Sequence, residues 1–166
     1  MNIARAISGF VMAVAFAACA PVDAPAQEGP VEITMTRTVC YGFCPAYTVT
    51  ITGEGEVRYE GRAFVDAMGQ RTATIPREDV VNLLARFDEI GFDGLQNEYR
   101  GRMTDLPTTT ITLVRDGRRK ALVDYGGTSV GMPHAVRDLQ AEIDRVARTS
   151  QWVLRDGQPV RERPEH

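Results

Sequence analysis

Apolar and polar residues alternate along Val31-Glu32-Ile33-Thr34-Met35-Thr36, the period of a strand with one face buried. Tyr47-Thr48-Val49-Thr50-Ile51-Thr52 repeats that alternation. Gly53-Glu54-Gly55 supplies a turn, and Val57-Arg58-Tyr59-Glu60 resumes the pattern, so the two runs predict a β-hairpin. A further strand is expected near Gln70 to Ile75. At Pro76 the period changes. Val80, Leu83, Leu84, Phe87 and Ile90 form a helical apolar stripe, and Pro suits a helix start because no amide donor is needed there. Gly91 and Asp93-Gly94 end the stripe. Thr108 to Val114 and Lys120 to Tyr125 are strand-like runs joined around Asp116-Gly117, a strong hairpin signal. Pro133 opens a second helix with Val136, Leu139, Ile143 and Val146 on one face and Arg137, Asp138, Glu142 and Arg145 outside it.

Short hairpins imply antiparallel pairing, and alternation along each strand implies one buried sheet face. Two amphipathic helices can cover that face. The expected fold is therefore α+β: an antiparallel sheet with two helices packed on one side, spanning residues 31–155. Residues 156–166 are expected as a polar tail. Trp152, just before it, is expected to pack on the domain edge.

The first residues carry one charge, Arg5, and lead into an apolar run from Ile7 to Ala18. That run is the layout of a secretory signal and falls short of the roughly 20 residues that span a bilayer. Phe16-Ala17-Ala18-Cys19 resembles a lipobox, the processing site of bacterial lipoproteins, with Phe16 standing where Leu is usual. The resemblance implies that residues 1–18 are a signal peptide and that Cys19 is lipidated. Ordinary cleavage after Ala24-Pro25-Ala26, or retention of the apolar run as an anchor, are the alternatives. Residues 19–30 contain Pro21, Pro25 and Pro30 and read as a semi-extended tether. Ala20 is not the Asp that usually retains lipoproteins at the inner membrane, which points to the outer membrane facing the periplasm. A secreted or soluble periplasmic protein is the alternative location.

Lys and Arg number 19 against 22 Asp and Glu, a net charge of −3 that becomes −4 if Arg5 is removed with the signal. Such a balance excludes the basic footprint of a nucleic-acid binder. The expected partners are the membrane, through the N-terminal lipid, and an envelope protein. Three cysteines are present. If Cys19 carries lipid, Cys40 and Cys44 form an even pair, and export would place that pair where disulfides persist.

Cys40-Tyr41-Gly42-Phe43-Cys44-Pro45-Ala46-Tyr47 is the most unusual stretch. Together with Gly55 to Gly61, Phe92 to Tyr99, Asp105 with Pro107, a strand carrying Lys120, and Pro133, it resembles an uncharacterised bacterial family, domain-of-unknown-function family 6438. The resemblance implies an envelope-associated α+β domain and no activity. A Cys40–Cys44 disulfide would be a local clamp, with Gly42 able to turn inside the ring and Pro45 fixing its exit. The same Cys-x-x-x-Cys-Pro segment is similar to the copper-binding loop of Sco-type chaperones, which implies Cu(I) or thiol-redox chemistry at Cys40 and Cys44 with His134 as a third ligand. A strand-like run follows here, whereas a helix follows in that fold. His166 is the other histidine and sits near the chain end.

Asp93, Glu98, Asp105 and Asp124 are candidate acid–base carboxylates, but no spacing pairs them. The chain has no nucleophile elbow, phosphate loop or His-Glu-x-x-His. Gly126-Gly127-Thr128-Ser129 reads as a loop. Thr34, Thr36, Thr48, Thr50, Thr52, Thr110 and Thr112 predict a solvated sheet face that could dock a partner. The sequence therefore points to a non-catalytic binding or structural domain on an envelope lipoprotein, with no cofactor.

Overall fold

The computed structural model describes residues 30–162. The segment containing Cys19, the apolar run ahead of it and most of the Pro-rich tether lies outside the described residues, as does His166. Seven strands form one sheet: β1 (Glu32–Arg37), β2 (Ala46–Thr52), β3 (Glu56–Ala63), β4 (Gly69–Thr74), β5 (Glu98–Arg100), β6 (Thr109–Arg115) and β7 (Arg118–Tyr125). Their spatial order is β4-β3-β2-β1-β6-β7-β5, and every pairing is antiparallel except β5 with β7. The alternation read from sequence is the physical reason. Ile33, Met35, Val49, Ile51, Val57, Tyr59, Ile111, Leu113 and Leu122 turn to one face and are buried there.

Helices α1 (Arg77–Glu89) and α2 (His134–Ala147) cover that face. Val80, Leu83 and Phe87 of α1 and Val136, Leu139, Ile143 and Val146 of α2 join the strand side chains in a single apolar cluster. This is the expected α+β architecture. Each proline sits one position earlier than expected: Pro76 and Pro133 are N-caps with extended ψ, so each turns the chain into its helix from outside.

On the opposite face threonines pair across the strands. Thr34 and Thr50 hydroxyls lie 3.1 Å apart, as do those of Thr36 and Thr48, each pair directly opposed in register. These hydroxyls satisfy one another, as Thr–Thr pairs in sheets do.

Two features go beyond the sequence reading. Strand β5 has three residues and buries only Tyr99, too short to show a period. Past the boundary expected at residue 155, the chain continues as ordered structure. A short helix α3 (Ser150–Val153) leads into a hairpin of β8 (Leu154–Arg155) and β9 (Gln158–Pro159), and Val160 is buried. Trp152 stacks on Tyr59 with ring centroids 4.9 Å apart.

Candidate binding groove beside the disulfide

Strand β1 ends on Arg37, a charged residue in the inward-facing series Ile33, Met35, Arg37. A half-buried cation needs hydrogen-bonded partners, and the fold provides them. Arg37 donates from Nε to the Tyr47 hydroxyl at 3.0 Å, from Nη1 to Thr109 Oγ1 at 3.2 Å and from Nη2 to Asp144 Oδ2 at 2.9 Å. Asp144 Oδ1 accepts from the Tyr47 hydroxyl at 2.6 Å and from Thr149 Oγ1 at 2.7 Å. The network joins β1, β2, β6, α2 and the turn after α2. Burial, reinforced by the Asp144 carboxylate, raises the Tyr47 pKa above its ordinary value. Burial works against the charge on Arg37, but Tyr47 and Asp144 outweigh it and the pKa of Arg37 rises.

These groups floor a groove of about 500 Å³ whose walls include Pro45, Pro107, Val153 and Leu154, with Cys44 at its side. Cys40 and Cys44 are joined in a disulfide with Cα atoms 5.5 Å apart. The ring displays apolar side chains outward, Tyr41 at 91% exposure and Phe43 at 56%, and Val39 just before it is 50% exposed. The loop is braced by backbone bonds from Thr38 to Thr108 and from Tyr41 to Asp105, and by an edge-on contact of Phe43 with Phe64.

His134 does not join the cysteines. It is the first residue of α2, while the residues of that helix at the groove are Ala141, Asp144 and Arg145, about 10 Å or more further along the axis at 1.5 Å per residue. The two sulfurs are bonded to each other, so the three copper-ligand candidates are not assembled in this arrangement. Among the described residues no three His, Cys, Asp or Glu side chains are grouped to hold a metal.

The four candidate carboxylates are separated as well. Asp93 pairs with Arg115 and Glu98 with Arg100, while Asp105 offers its main-chain carbonyl to Tyr41. Asp124 is only 2% exposed. It accepts from Arg137 Nε at 2.7 Å, Gln140 Nε2 at 2.8 Å and the Gly127 amide at 2.9 Å. It thus pins the start of α2 to the turn after β7, and Gly126 and Gly127 belong to that turn. Every acceptor site of Asp124 serves packing.

Arg37, Asp144 and Thr149 carry the groove floor, and sequence reasoning passed over all three. The signal was there for Arg37: its parity in β1 points it inward. Asp144 follows the partly buried side of α2 at i, i+4 from Gln140, a weaker cue.

A sheet of this mixed order, covered on one face by two helices and closed at one pole by a small disulfide ring, defines an α+β domain with a groove at the ring. Residues 31–147 match the family described as Domain of unknown function (DUF6438), and the chain belongs to that family. The match covers the sheet and both long helices. No curated protein matches the chain.

Proposed function

We propose that the protein is an exported envelope lipoprotein, held by lipid on Cys19, whose domain is a non-catalytic binding module that engages an envelope partner at the disulfide pole. The observation that carries the binding role is the groove floor. Asp144 accepts from three side chains and Arg37 donates to three, so the polar groups are spent on one another beneath apolar walls. A general acid or base needs a free end directed at substrate. An apolar cleft of this size beside exposed Tyr41 and Phe43 instead suits an inserted apolar side chain, with the aromatic residues as anchors.

The anchor is supported by the short apolar run ending in Phe16-Ala17-Ala18-Cys19, and Ala20 supports an outer-membrane destination. Crosslinking in intact envelopes followed by pull-down tests the partner. Tyr41→Ala with Phe43→Ala should abolish the crosslinked species while leaving the domain folded, and an unchanged pattern would refute the groove as the binding site. Mass spectrometry of the mature N-terminus tests the anchor: an unmodified start at Gln27 would remove it.

Thiol redox or Cu(I) binding is the second reading, favoured by the position of Cys44 on the groove wall. Free-thiol labelling of the exported protein separates the two. Two labelled thiols with stoichiometric Cu(I) uptake would put the metal reading first.

A further inference from the structure

We infer that the tip of the β6–β7 hairpin is a binding site for anionic lipid phosphates, through which the domain rests on the membrane that anchors it. The tip reads Arg115-Asp116-Gly117-Arg118-Arg119-Lys120, four cations in six residues of a chain whose net charge is −3. Asp116 and Gly117 both take left-handed backbone, φ 51° and 71°, the geometry of a two-residue turn that brings its flanking residues together. Arg115, Arg118, Arg119 and Lys120, with Asp93 and Asp116, line a polar hollow of about 650 Å³.

The four cations are not equally free. Arg115 is held by Asp88 at 2.6 Å and Asp93 at 2.8 Å, and Lys120 donates to the Leu95 carbonyl at 2.5 Å and Asn97 Oδ1 at 2.6 Å. Among the described residues Arg118 has no side-chain partner, and Arg119 has only a long 3.4 Å contact to Thr112 Oγ1. Both are exposed. Two guanidinium groups therefore keep most of their donors, in the planar fork that fits phosphate oxygens.

Register places this tip. Glu32 at the start of β1 lies opposite Val114, so the hairpin tip shares a pole with Pro30, where the chain leads back toward Cys19. The groove and the disulfide lie at the other end of β1. The eleven residues between Cys19 and Val31 reach at most about 40 Å even fully extended. Strand β1, six residues long, spans only about 20 Å, so the tether by itself lets either pole meet the bilayer; the free cations at the pole where the tether enters are what would turn that pole toward an anionic surface. The placement rests on the lipid-anchor reading; the basic hollow does not.

The test uses the mature protein mixed with vesicles of phosphatidylcholine alone, or with about 30% phosphatidylglycerol, at low salt. Arginine modification by phenylglyoxal is read peptide by peptide. A basic residue near an anionic surface gains about fivefold in partition. Modification of Arg118 and Arg119 should therefore slow about fivefold on the anionic vesicles, and recover in about 0.5 M NaCl as the charges are screened. Arg148 and Arg161 should not change. Equal rates on both vesicles would overturn the proposal. Equal protection by inorganic phosphate beside neutral vesicles, at matched ionic strength, would overturn the lipid surface as ligand. If the protein carries no lipid, protection confined to anionic vesicles still supports the site and its absence still refutes it. Mass spectrometry at Cys19 reads the anchor separately.

Discussion

Replacing Asp144 with Ala should destabilise the domain clearly more than breaking an exposed ion pair. The carboxylate accepts from Arg37, Tyr47 and Thr149, and its loss removes the side-chain acceptor of all three, leaving Thr149 only a long contact to the Asp144 main-chain carbonyl. Breaking a buried pair costs about 3–5 kcal/mol. Arg37 and Asp144 retain 23% and 24% exposure, so water reaches part of the site and about 3 kcal/mol is the better expectation. Urea unfolding measures it. With an m-value near 2 kcal/mol/M, the midpoint should fall by about 1.5 M at unchanged slope. Glu32→Ala is the control, because the Arg58–Glu32 pair is 49% and 44% exposed and should be worth less than about 1 kcal/mol. Arg37→Met combined with Asp144→Leu removes both charges and should recover much of the loss. If Asp144→Ala costs no more than Glu32→Ala, the network is not a structural clamp and the reasoning fails.

Reducing the Cys40–Cys44 bond, or Cys40→Ser with Cys44→Ser, should cost about 1–3 kcal/mol and leave the fold intact, because so short a ring removes little chain entropy. A domain unable to fold without the bond would contradict this in a thermal melt with and without reductant. Gly61→Ala should cost about 1–3 kcal/mol, since the added carbon would lie 2.1 Å from the Ala67 carbonyl oxygen, a backbone atom. Refolded variant of wild-type stability would show that the β3–β4 connection yields. Burial raises the pKa of both Tyr47 and Tyr59. Above about pH 10 the unfolded chain therefore releases phenolic protons that the native state keeps, so stability is full below that pH and declines as pH rises. Urea titrations between about pH 8 and 11.5 should show this decline, less steep in Tyr47→Phe; a flat profile would refute it.

The strands and long helices were legible because each buries one face, so periods of two and 3.6 were written into the apolar positions. The hairpin turn at Asp116-Gly117 was legible because few residues accept two successive left-handed conformations. Strand β5 and the hairpin β8–β9 were not, since two or three residues cannot establish a period. Of the groove, the cysteines and Tyr47 stood in a recognisable motif. Its floor did not, because Arg37 and Asp144 are 107 residues apart and nothing local couples them. The four carboxylates drew notice as chemistry for the converse reason: their partners, such as Arg137 and Gln140 on Asp124, appear only in three dimensions.

Strand β1 is the first of the described strands, yet it lies at the centre of the sheet between β2 and β6. A growing polypeptide therefore releases the meander from β1 to β4 well before β6, whose residues 109–115 come more than seventy positions after β1 ends. During that interval the far side of β1 is an unprotected edge carrying Ile33 and Met35, open to pairing with a neighbouring nascent chain. The wait is set by topology alone. It makes the early folding of this small domain depend on whatever shields that edge, and it predicts that truncations ending before residue 109 will aggregate, whereas a chain reaching Tyr125 can close its own sheet.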